Sequence, residues 1–196
     1  MPQKMTFEEI NRLDREEFVS RFGPVFEGSP WIARRVWDSR PFDDLPALHG
    51  TMVEAVSEAP EERRLALIRA HPDLAGKAAV AGELTRESSR EQASAGLDRL
   101  SPKEYDAFTR LNAGYREKFG FPMIVCVREH TKESIFAQAE ARMGHSRDEE
   151  VEVALGEVAK IARLRLQDLV EPDPGDTRET VERTVERTVE RRRARG

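Results

Sequence analysis

Cysteine is almost missing from this 196-residue chain: Cys126 stands alone, so no internal disulfide can form. Long apolar runs are missing too, and none approaches the roughly 20 residues of a membrane span. The start, Met1-Pro2-Gln3-Lys4, has no apolar core of a signal peptide, and Ala194-Arg195-Gly196 is not a peroxisomal address. A cytoplasmic protein is expected. No strong excess of one charge exists: 32 basic residues face 37 acidic ones, for a net charge of −5, which points to neither a nucleic acid nor a membrane as partner. The four histidines, His49, His71, His130 and His145, pair neither with one another nor with cysteine at metal-ligand spacing. A phosphate-binding glycine loop, a nucleophile elbow and a dinucleotide fingerprint are also absent. Whatever chemistry the chain performs is expected to need no metal and no bound cofactor.

What remains is charge interleaved with helical periodicity. Thr6 with Glu9, Asp14 with Glu17, Ser101 with Glu104 and Ser146 with Glu149 have capping-box spacing. Ser29-Pro30 and Ser101-Pro102 put proline at a first helical position, and Gly23 and Gly120 are stop signals. Pro60 separates two helical stretches, Leu45–Ala59 and Glu61–Ala70. After Ser146, Val151, Ala154, Leu155, Val158, Ile161, Ala162, Leu166 and Leu169 form one apolar stripe. Only Phe121-Pro122-Met123-Ile124-Val125-Cys126-Val127 reads as strand-like, and no second strand is evident to pair with it. The expectation is an all-α, single-domain bundle of about eight helices over residues 1–170, with one short extended apolar segment near 121–127 packed between helices. Residues 171–196 differ in kind: prolines break the last helix, and Thr-Val-Glu-Arg then repeats three times, a charged tail expected to be disordered or a fraying helix.

Three features bear on chemistry. His71 precedes Pro72, which excludes it from the helix ending at Ala70, so it sits at that helix's negative end, where a protonated imidazole is favoured. Capping the helix would account for it equally well. Ser88 and Glu91 have capping-box spacing, which a helix start explains and an anion site at a helix N-terminus would also use. Arg165 lies on the apolar stripe, four residues after Ile161, so it needs acidic or acceptor partners, in a structural ion pair or in a ligand.

Taken in order, these stretches resemble a known family. Ser29-Pro30-Trp31-Ile32-Ala33, Trp37, Arg40-Pro41-Phe42, His71-Pro72-Asp73-Leu74, Ser88-x-x-Glu91-Gln92-x-x-Ala95-Gly96-Leu97, Leu111-Asn112-x-x-Tyr115, Phe119-Gly120-Phe121-Pro122 and Lys160-Ile161-Ala162-x-x-Arg165-Leu166 all match. The family is the 2-oxo-4-hydroxy-4-carboxy-5-ureidoimidazoline (OHCU) decarboxylases, and the resemblance runs from about Phe7 to Leu169. It implies an all-α bundle, usually a homodimer, without cofactor, acting on a small ureide in the last step of urate conversion to (S)-allantoin. It implies His71 as catalytic acid with Glu91 as its partner, orienting it or taking the substrate's hydroxyl proton. It implies substrate contacts from Pro72, Ser88, Ser89 and Gln92, from the chain at Met123, Ile124, Val125, Cys126 and Val127, and from Arg165 binding a ring oxygen or the carboxylate. The implied substrate carries its carboxylate next to a ring C=N bond, so it supplies its own electron sink. A carboxylate beside His71 would raise the imidazole's pKa. Met123 stands where the family usually has phenylalanine, and Ser94 where glycine is common. The alternatives are action on another ureide and a non-catalytic helical module that binds through the charged tail.

Overall fold

The computed structural model of the chain describes residues 4–76 and 84–172. Among these residues there are nine α-helices: α1 (Phe7–Arg12), α2 (Arg15–Phe22), α3 (Trp31–Val36), α4 (Leu45–Ser57), α5 (Glu61–Ala70), α6 (Arg86–Ser94), α7 (Pro102–Phe119), α8 (Lys132–Arg142) and α9 (Arg147–Leu169). The protein is all-α, as its periodicity predicts. The expected tail falls almost wholly on residues 173–196, outside the described residues, as does Lys77.

Local chemistry explains most boundaries. Reciprocal side-chain caps open α1 (Thr6 with Glu9), α2 (Asp14 with Glu17), α7 (Ser101 with Glu104) and α9 (Ser146 with Glu149). Each satisfies two amides that the first helical turn leaves unpaired. Gly120 ends α7 in the left-handed region at φ 79°, a conformation that costs other residues strain. Two expected starts are corrected. Ser29 makes no capping bond to α3; Pro30 occupies the cap position instead. Ser88 does not open a helix: Thr85 is the N-cap of α6 and its hydroxyl accepts the Ser88 amide at 3.3 Å. Ser88 is therefore one turn inside α6, on the same face as Glu91 and Gln92.

The core is one cluster to which nearly every helix contributes. Phe18, Phe22, Ile32, Leu48, Met52, Leu67, Ile68, Phe108, Tyr115 and Leu166 are fully buried within it. Helix α9 is the spine and packs on α4, α5 and α7. Of its expected stripe, Val151, Ala154, Val158, Ile161, Ala162 and Leu166 are buried, while Leu155 and Leu169 pack partly buried against the cluster. The apolar segment after Phe119 joins no sheet; the one β-bridge among the described residues links Met5 to Val170 and ties the two ends together. Met123, Ile124, Val125 and Cys126 are buried as unpaired chain.

Candidate active site

His71 caps α5 in an extended conformation (φ −72°, ψ 141°), as a residue before proline must. Its Nδ1 lies 2.9 Å from the Leu67 carbonyl. A carbonyl only accepts, so Nδ1 carries a proton and Nε2 is the ring's free nitrogen in the neutral tautomer. The side chain is buried. Burial pushes the His71 pKa below its ordinary value; the Leu67 bond and the Glu27 carboxylate pull the other way, and Arg165 adds to the depression. The expected upward shift is thus corrected: desolvation outweighs both the helix end and the nearby carboxylate.

That carboxylate is Glu27, which the sequence reading missed. It follows a short 3-10 turn, Gly23–Val25, and precedes Gly28 at φ +58°. A β-carbon on Gly28 would lie 3.0 Å from the Ala70 side chain, so glycine lets this loop close on the end of α5 beside His71. Glu27 Oε1 accepts the Thr85 hydroxyl at 2.7 Å; Oε2 accepts the Ser88 hydroxyl at 3.1 Å and Arg165 Nη1 at 2.9 Å. Burial works to raise its pKa, but Arg165, Thr85 and His71 together hold it below the usual carboxylate range.

Arg165 comes from α9 and is 4% exposed. Its Nε and Nη2 donate to the two oxygens of Glu91 at 2.7 and 2.8 Å. Its Nη2 also reaches Ser88 Oγ at 3.2 Å, and Nη1 meets Glu27 and the carbonyls of Pro24 and Val25 at 3.3 and 3.4 Å. All five N–H groups of the guanidinium therefore have partners inside the protein. Burial opposes its charge, yet the Glu91 and Glu27 carboxylates raise its pKa above the ordinary value. The bidentate partner of Arg165 is Glu91 rather than a ligand left to arrive. No bond joins Glu91 to His71; the backbone of Leu67 orients the imidazole instead.

Gln92 is also committed. Its oxygen accepts the Ala75 amide at 2.8 Å and its nitrogen donates to the Asp73 carbonyl at 3.2 Å. Asn112 donates to the Leu74 carbonyl at 2.8 Å, and Arg116 pairs with Asp73 at 2.9 Å. The turn after His71 is thus pinned residue by residue, including Ala75 at φ 48°.

Ten of the twelve residues expected at the site line one cleft: His71, Pro72, Ser88, Glu91, Gln92, Met123, Ile124, Val125, Val127 and Arg165. Leu74 and Ile161 complete its apolar wall. It encloses about 340 Å³, open solvent at its mouth included. The other two, Ser89 and Cys126, do not line it. Ser89 points from the outer face of α6 and is exposed, because it is one residue removed from the inward-facing Ser88. Cys126 is buried behind the wall, and burial pushes its thiol up to about 11. Among the described residues no three His, Cys, Asp or Glu side chains converge as a metal site, and no helix is long and apolar enough to cross a membrane.

The site of this all-α protein is thus a buried histidine beside a glutamate–arginine–glutamate cluster. Residues 11–167 match the OHCU decarboxylase family model. The chain is 45% identical over 172 residues to the 2-oxo-4-hydroxy-4-carboxy-5-ureidoimidazoline decarboxylase of Halalkalicoccus jeotgali, covering 88% of this chain and 96% of that protein. It is 45% identical over 163 residues to the enzyme of the same name from Haloferax volcanii, covering 83% and 95%. A crystal structure of (S)-allantoin synthase superposes with a TM-score of 0.69 at 27% identity, over 85% of this chain and 54% of that one. The chain belongs to the OHCU decarboxylase family. That membership displaces the reading of a non-catalytic module binding through its tail.

Proposed function

We propose that the cleft between α5, α6, α9 and the segment at 121–127 is where this chain decarboxylates OHCU to (S)-allantoin, with His71 moving the proton. The observation that carries this reading is the imidazole itself: Nδ1 is spent on Leu67, Nε2 is free, and the residue lines a cleft otherwise closed by apolar walls and one ion cluster.

The reaction consumes one proton. The bond from the ring carbon to the carboxylate breaks, and its electrons move into the adjacent C=N bond as carbon dioxide leaves. The ring nitrogen takes a proton, the neighbouring hydroxyl gives one up as it becomes a carbonyl, and the carbon bearing the ureido group receives one. Delivery to a single face of that carbon sets the S configuration. A neutral His71 accepts the hydroxyl proton at Nε2 and returns it to carbon, acting first as base and then as acid. Glu91 stands at the same cleft with its carboxylate held by Arg165, placed to accept a hydrogen bond from the hydroxyl or the ureido group. Pro72, Met123, Ile124 and Val127 shape the pocket, and the free backbone groups of Val125 meet the polar edge of the ureide. Ser88, Gln92 and Arg165 act by holding these elements in place. The imine of the substrate is the electron sink, so the chemistry draws on no cofactor. We further propose that the chain forms a homodimer, the arrangement the family resemblance implies, and that it is cytoplasmic.

The test uses freshly generated OHCU and follows the circular dichroism of allantoin. His71→Asn and His71→Gln are expected to lose the stereospecific reaction by at least 100-fold, on the scale of general acid–base catalysis. (S)-allantoin formed by either variant at near wild-type rate would remove His71 from the mechanism.

A further inference from the structure

Helix α9 carries two buried glutamates that the reaction does not use, Glu150 and Glu157. They are seven residues, about two turns, apart and so share a face. Each is tied to the unpaired segment that walls the cleft. Glu157 Oε2 accepts the Cys126 amide at 2.7 Å, and its Oε1 accepts Lys160 Nζ at 2.6 Å. Glu150 pairs with Arg142, which is 5% exposed and donates to the Ile124 carbonyl at 2.8 Å. Tyr115 and His145 complete the shell of Glu150.

These two grips fall on either side of Val125. The peptides on both sides of it are trans, so carbonyl and amide point in opposite directions in each. Arg142 holds the Ile124 carbonyl, which turns the Val125 amide away from the Arg142 side chain. Glu157 holds the Cys126 amide, which turns the Val125 carbonyl away from the Glu157 carboxylate. Neither Val125 group has a hydrogen-bond partner among the described residues, and Val125 lines the cleft. A donor and an acceptor on one residue match the N–H and C=O edge of a ureide as one strand matches another.

We propose that Glu157 and the Arg142–Glu150 pair are positioning residues that aim the backbone of Val125 at the ureide edge of the substrate. This rests on the activity proposed above, which the wild-type protein reports in the same assay. Glu157→Met keeps the length of the side chain but cannot accept the Cys126 amide; Glu157→Gln can, and Lys160→Met removes only the outer partner.

The expected result is a KM raised roughly tenfold in E157M with a smaller change in kcat, since a lost hydrogen bond weakens binding on that scale. E157Q should return KM to within about threefold of wild type, and K160M should leave it there. Melting by circular dichroism reports folding, and Glu157→Ala, which admits water to the Cys126 amide, replaces E157M if that variant does not fold. A wild-type KM in E157M or E157A, or a KM in E157Q as high as in E157M, would overturn the positioning role while leaving the activity intact. A wild-type protein that fails to turn over OHCU would overturn both.

Discussion

Arg165→Lys separates two jobs for the same side chain. As a substrate ligand, Arg165 would have donors to spare in the free protein, and lysine there would raise KM and leave the unliganded fold alone. The structure has all five N–H groups satisfied by Glu91, Ser88, Glu27 and two carbonyls. Lysine offers three donors, so at least two bonds are lost. Hydrogen bonds to charged groups are worth about 1.5–3 kcal/mol each. Arg165 and Glu27 are 4% and 5% exposed, so water screens this loss little. Lysine's retained charge offsets part of it, and a net loss of about 3 kcal/mol is expected. For a chain of this size that lowers Tm by roughly 6–12 °C. Urea unfolding of the ligand-free protein at neutral pH, followed by far-ultraviolet circular dichroism, measures it. A midpoint shift equivalent to less than about 0.5 kcal/mol, with KM raised, would refute the scaffold reading and restore Arg165 as a direct ligand.

Other outcomes follow from the same cluster. His71 binds its proton less readily in the folded chain than at the ordinary 6.5, so stability should fall as pH drops below about 6.5 and the unfolded state takes up the proton. His71→Asn should flatten that part of a stability–pH curve; an unchanged slope would mean the imidazole is not buried as described. For the same reason the acid limb of kcat/KM should lie below 6.5, which a pH–rate profile checks. Glu27 shifts downward, so its share of stability is present above 4.5 and is lost as pH falls through the lower folded value. Gln92→Glu keeps an acceptor for the Ala75 amide but sets a carboxylate against the Asp73 carbonyl. It should cost about 1–3 kcal/mol and lower kcat by loosening the turn after His71, measured by melting and turnover together.

The helices were legible because their signals are local. Capping boxes at Thr6, Asp14, Ser101 and Ser146 need only three residues of context, and the α9 stripe needs only its own period. Ser88 misled for the same reason: its spacing to Glu91 is that of a cap, and nothing local says that Thr85 takes the position first. The site was legible mainly through resemblance, and its weakest point was Glu27. That residue lies in a loop with no periodicity, and its partners stand 58, 61 and 138 positions away, at Thr85, Ser88 and Arg165. The only local sign was a carboxylate set between Phe26 and Gly28 in an otherwise apolar stretch. Ser89 shows the reverse limit, since matching a motif cannot tell which of two adjacent serines faces inward; α6 decides that by its pitch.

The charge balance of the cluster bears on why a decarboxylation suits it. Glu27 and Glu91 carry two negative charges against the one positive charge of Arg165, and His71 is shifted toward its neutral form. Among the described residues no cation with free donors lines the cleft; apart from Ser88 and Gln92, whose side chains are already bonded within the protein, the rest of the wall is Pro72, Leu74, Met123, Ile124, Val125, Val127 and Ile161. A carboxylate entering this space gives up hydration without gaining an ion pair, whereas carbon dioxide gives up almost nothing. The difference favours the state in which charge has left the carboxylate for the ring. In the mechanism proposed above, His71 quenches that charge by returning to carbon the proton it took from the hydroxyl, and an anion beside the imidazole makes it more basic. An apolar wall, a fully engaged guanidinium and a buried neutral histidine would each be a poor device for binding an anion. Together they favour an anion that loses its charge, as the carboxylate does in the reaction proposed above.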